Sequence, residues 1–115
     1  MKRDSAYVRH MLDCIRRIEA ATADGRAAFL DSDLAQDAVA RNLQTLTESS
    51  KRLSSEVKTE RPEIEWARMA AFRNVIVHDY LGLDVERIWD VITRDLPSLR
   101  AALQAILAGL ERLGE

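Results

Sequence analysis

Apolar residues recur along the chain at helical spacing, in four stretches separated by polar breaks. In the first, about Ser5 to Ala23, Val8, Met11, Leu12, Ile15 and Ile18 fall on one face of a helix. Asp4 or Ser5 is placed to cap its start, and Asp24-Gly25 to stop it. A short link, Arg26 to Asp31, follows; its Phe29 and Leu30 are expected to tuck under the helices. Ser32 then caps a longer helix, whose seam of Val39, Leu43, Leu46, Ser50, Leu53 and Val57 alternates steps of four and three. The small Ser50 lets a neighbouring helix approach closely. Pro62 ends the pattern, because the residue before a proline is pushed out of the helical region.

The third stretch, Glu65 to Val77, sets Trp66, Met69, Phe72 and Ile76 on one face. Its β-branched run Val75-Ile76-Val77, with Gly82 beyond, predicts a helix that ends or loosens near His78. Asp84 caps the last stretch, where Val85, Ile88, Ile92, Leu96, Leu99, Leu103, Ile106, Leu110 and Leu113 carry the stripe to the end. Pro97 lies inside it. An interior proline costs about 3 kcal/mol, so a kink or a new helix start is expected near Asp95. Four main helices with short connections predict an all-α fold: one domain over 1–115, an antiparallel up-and-down bundle of four to five helices.

Composition agrees. Among 115 residues, 47% are hydrophobic and 31% charged, with four glycines and two prolines, too few for a turn-rich β-sandwich. The lone Cys14 reads as a small buried hydrophobe and suits a reducing, cytoplasmic setting. No clustered Cys/His pattern suggests a structural zinc site, and charges interrupt every apolar run, so neither a signal peptide nor a membrane span is expected. With 17 basic and 19 acidic residues the net charge is −2, so any contact with nucleic acid has to run through a local cluster of arginines. Arg41 and Asn42 on the second main helix, oriented by Asp37, are possible RNA contacts, whereas His10 is expected to be an exposed helix residue. Trp66 and Trp89 are expected as core or dimer-interface anchors.

One stretch is chemically dense: Arg73-Asn74-Val75-Ile76-Val77-His78-Asp79-Tyr80. On an ideal helix Arg73 and Tyr80 share a face, but Arg73 and His78 stand about 140° apart at 100° per residue. Either the helix unwinds at His78, or two copies of the run meet across a dimer. Bland alternatives compete: a helix-end His78 satisfied by a carbonyl or Asp79, Arg73 in an ion pair with Glu48 or Glu65, and Tyr80 packed as a loop aromatic.

Arg73, four residues, His78, one residue and Tyr80 form the RX4HXY pattern. Together with the preceding PEIEW, the following WDVITRDLP, and the segments YVRHMLDCIRRIE and FLDSDLAQDAVARNLQTLTES, it resembles the HepT toxins of the HEPN ribonucleases over nearly the whole chain. The resemblance implies a toxin–antitoxin endoribonuclease that needs no metal or cofactor and acts as a homodimer with both motifs in one cleft. It also implies a partner, a small MNT-type nucleotidyltransferase antitoxin of a bacterial or archaeal cell, that transfers AMP to Tyr80. Thr47 stands where that family commonly has a glycine before the glutamate, and is expected to alter helix packing without touching the motif.

The chemistry can be reasoned separately. RNA carries its own nucleophile, the 2′-OH, so proton transfer and charge stabilisation suffice. His78 can act as general acid or base near neutral pH, worth roughly 10²–10⁴-fold. Arg73 offers permanently charged donors to the nonbridging oxygens. Asn74 and Asp79 are supporting residues, the former orienting the phosphate or His78. The rival reading is a non-catalytic helical module that only binds and positions a nucleotidyltransferase, for which the intact Arg73/His78 pair has no use.

Overall fold

A computed structural model describes residues 2–67, 69 and 84–114. The first helix, α1, spans Lys2–Ala21 and turns Val8, Met11, Ile15 and Ile18 into the core, each almost fully buried. It begins ahead of Asp4, so neither Asp4 nor Ser5 caps it. Both are buried instead, and the Asp4 carboxylate accepts from the backbone N–H of Ser54 at 2.9 Å and its hydroxyl at 2.8 Å. The chain leaves α1 through a turn whose Gly25 has φ 94°, a left-handed conformation that suits glycine. The expected link is itself a short helix, α2, Arg26–Leu30. Phe29 is buried there against Trp89, with ring centroids 5.5 Å apart, and the Gln36 amide donates to the Phe29 and Leu30 carbonyls.

The next helix, α3, spans Asp33–Lys51, and Ser32 caps it by accepting from Ala35 N–H at 3.1 Å. The single long helix expected here is two. The chain opens at Arg52–Ser54 and restarts as α4, Ser55–Glu60. Ser54 is extended, with φ −64° and ψ 155°, so its hydroxyl can cap Val57 while Asp4 holds its N–H. The apolar seam survives the break, since Leu53 and Val57 are both buried.

The last helix, α5, spans Val85–Arg112 and is capped by Asp84. Pro97 lies within it, and no new helix starts near Asp95. The proline is exposed, so water can reach the carbonyl it leaves unpaired, while Ile92, Leu96, Leu99 and Leu103 hold both halves on the core.

Side-chain pairs fix the directions. Arg9 meets Glu111 at 3.1 Å and Arg100 meets Glu19 at 2.6 Å, so α5 runs antiparallel to α1. Asp4 meets Ser54 and Cys14 meets Thr45, so α3 does too. The described residues thus form an all-α, antiparallel bundle. None of their helices is long and apolar enough to cross a membrane.

Candidate active site

Arg73, Asn74, His78, Asp79 and Tyr80 lie outside the described residues, as does most of the helix expected over Glu65 to Val77. The structure describes what holds the two ends of that stretch. On its N-terminal side, Ile64 and Met69 are buried and the half-buried Trp66 donates its indole N–H to the Lys58 carbonyl at 3.3 Å. Trp66 packs against the apolar core, as does Trp89, in keeping with the core half of their expected role. On the C-terminal side, Asp84 accepts from Arg87 N–H at 3.2 Å and starts α5.

Thr47 ties α3 to the first of these ends. It is 1% exposed, and its hydroxyl bonds the Leu43 carbonyl one turn back at 2.9 Å and the Met69 carbonyl at 3.3 Å. Met69 precedes Arg73 by four residues. The expected change in helix packing at Thr47 is therefore a polar tie, directed toward the segment that carries the motif. The departure from glycine was visible in the sequence; the distant carbonyl it would meet was not. Beside Met69 opens a cleft of about 240 Å³ between the Glu63–Glu65 turn and α5 at Asp95, Ser98 and Leu99.

Arg41 is exposed, and the Asn42 amide donates to the Ala38 carbonyl at 2.8 Å, tied to its own helix. Asp37 is exposed and no hydrogen bond among the described residues joins it to either, so the expected orienting role is not seen. Whether both face a cleft with the motif lies outside the described residues. His10 is exposed as expected, with Nε2 3.7 Å from Cys14 Sγ. Cys14 is buried, 3.3 Å from the Thr45 hydroxyl, and burial pushes its thiol above the usual range. Among the described residues no three of His, Cys, Asp and Glu stand together as ligands for a metal ion.

An antiparallel helical bundle and the RX4HXY run together define the class, an all-α domain of the HEPN ribonuclease kind. The model of the HepT-like ribonuclease family matches residues 11–106, and the chain belongs to that family of RNA-cleaving enzymes. Over 78 residues it is 36% identical to the "Probable ribonuclease HepT" of Thermococcus cleftensis, covering 68% of this chain and 71% of that one. A "Putative RNase" of Caldanaerobacter subterraneus is 27% identical across 93% of this chain and 96% of its own length. A protein of Methanocaldococcus jannaschii named "Gamma-glutamylcyclotransferase and putative RNase" is 31% identical over 114 residues, 97% of this chain. The chain spans about half of that relative, 51% of its length. No solved structure matches.

Proposed function

We propose that the chain is the toxin of a toxin–antitoxin pair, a cytoplasmic endoribonuclease of a bacterial or archaeal cell that cleaves RNA without a metal. The observation that carries this reading is the Arg73–His78–Tyr80 spacing inside the stretch matched by the HepT-like ribonuclease family. His78 takes the proton from a ribose 2′-OH as it attacks the adjacent phosphorus, or returns one to the departing 5′-oxygen. Arg73 offsets the charge that builds on the nonbridging oxygens. Asn74 and Asp79 orient these groups. A homodimer with both motifs facing one cleft overcomes the angular offset between Arg73 and His78 on a single helix.

A nucleotidyltransferase antitoxin is the proposed partner. The Tyr80 phenol oxygen attacks the α-phosphorus of ATP, pyrophosphate leaves, and the tyrosine carries AMP. A bulky anionic group at the cleft then opposes an anionic substrate by contact and by charge.

The test is cleavage of an RNA oligonucleotide by the purified chain in EDTA. Wild type should cut, whereas His78→Ala and Arg73→Ala should not, with helical circular dichroism unchanged in both. Activity that vanishes in EDTA and returns with magnesium overturns the metal-free mechanism. Cutting by His78→Ala at the wild-type rate overturns the assignment of the motif.

A further inference from the structure

We propose that the groove between α1 and the C-terminal half of α3 binds a single-stranded segment of RNA, outside the RX4HXY motif. The groove, about 330 Å³, is lined on one side by Tyr7 and His10 and on the other by Thr45, Glu48 and Arg52. Arg3 stands one turn before Tyr7 on α1, and Arg41 one turn before Thr45 on α3. Since the two helices run antiparallel, Arg3 and Arg52 lie toward one end of the groove and Arg41 toward the other.

Charge selects the occupant. Most arginines with ion pairs in this fold serve it: Arg9 and Arg100 join α1 to α5, and Arg16 and Arg17 are taken up by Asp13. Arg3, Arg41 and Arg52 are exposed, and among the described residues none of them enters an ion pair. The lining itself holds one guanidinium and one carboxylate, Arg52 and Glu48, while Arg3 and Arg41 stand one turn beyond it at either end, with Asp37 a further turn past Arg41. Guanidiniums at spaced intervals suit successive phosphates. The furrow also offers aromatic surface, for Tyr7 is half-buried against the core and His10 is exposed. Bases stack on such rings with little regard for sequence. A duplex offers no exposed base faces, so a single strand fits better.

This proposal rests on the reading of the chain as a ribonuclease, but its test separates the two. The probe is a short 2′-O-methyl RNA oligonucleotide, whose blocked 2′-oxygen prevents cleavage, with binding to the full chain followed by fluorescence anisotropy. With three arginine contacts to a single strand, the log–log salt dependence should have a slope of about −2. Arg3→Gln, Arg41→Gln and Arg52→Gln should each weaken binding about fivefold or more, and each should shrink that slope by roughly 0.7. Glu48→Gln should tighten binding, an outcome that mere structural damage would not give. Arg94→Gln makes the same change in net charge on α5, which does not line the groove, and should leave binding unchanged. With cleavable RNA, the groove variants should raise KM and leave kcat near wild type.

Wild-type affinity and cleavage in all three arginine variants would overturn the groove while leaving the ribonuclease reading intact. Loss of cleavage confined to His78→Ala and Arg73→Ala, with no oligonucleotide bound in the groove, would do the same. If the arginine variants instead dissociate the protein into smaller species with RNA affinity intact, the groove is a contact between copies and the RNA proposal falls.

Discussion

Replacing Asp4 by alanine should be among the costliest single changes to the polar framework of this bundle. Asp4 is 6% exposed, and its carboxylate accepts two bonds from Ser54, at 2.9 Å from the N–H and 2.8 Å from the hydroxyl. Hydrogen bonds to a charged group contribute about 1.5–3 kcal/mol each, and the truncated side chain also leaves a part-buried N–H unpaired. Against this, the variant no longer has to desolvate a carboxylate. A net loss of about 3 kcal/mol follows. Unfolding entropy of roughly 2.1 cal/mol/K per residue makes 1 kcal/mol worth about 4 °C in a chain of this size, so the melting midpoint should fall by about 12 °C. Asp4→Asn keeps an acceptor for the Ser54 N–H and should lose about half as much. Asp13→Ala is the control, since its partners Arg16 and Arg17 are exposed and their ion pairs are screened. Thermal melts followed by circular dichroism near neutral pH measure all three. If Asp4→Ala melts within about 3 °C of the parent, or Asp13→Ala falls as far, the reasoning from burial fails.

Thr47→Val keeps the volume but removes the hydroxyl that reaches Met69, so it should cost about 1 kcal/mol of stability and lower the cleavage rate, while Thr47→Ser retains both. An unchanged rate constant in Thr47→Val would remove Thr47 from the support of the motif. Cys14 should react slowly with iodoacetamide in the folded protein, because burial both hides the thiol and raises its pKa, leaving less thiolate at any pH below that value. The rate should rise steeply in urea; equal rates in folded and unfolded protein would contradict the packing at Cys14.

Much of the fold was legible because it rests on local rules. The stripes of α1, α3 and α5 are apolar at helical spacing, and Ser32 and Asp84 cap their helices through side-chain bonds to residues three positions on. What the sequence misplaced depends on partners far along the chain. Asp4 has the composition of a helix cap, but a buried bond to Ser54, fifty residues away, sets its role and helps to open the helix after Lys51. Pro97 reads as a kink or a new helix start, yet an exposed position and a continuous buried stripe let one helix continue past it. Of the site, the motif was legible as spacing alone, since no periodicity says which helices meet Arg73 or His78. Thr47 was visible only as a departure from a family pattern, and its bond to Met69 needed three dimensions.

Ion pairing sorts the basic residues of the bundle into two kinds of work. An arginine that joins two helices loses its freedom to meet a ligand, and Arg9 and Arg100 have that fate at the two ends of the α1–α5 seam. Their partners, Glu111 and Glu19, cancel their charge, so the field near that seam is weak. The α1–α3 seam is joined differently, by the Asp4–Ser54 bonds at one end and the Cys14–Thr45 contact midway, neither of which uses a cation. Among the described residues Arg3, Arg41 and Arg52, on the helices of that seam or at their ends, enter no ion pair. An acidic chain can attract an anionic polymer only through such a local surplus, because its overall charge repels it weakly at long range. Raising the salt should consequently weaken RNA affinity through the groove more than it alters the melting midpoint, whose main support is the buried apolar stripe of α1, α3 and α5.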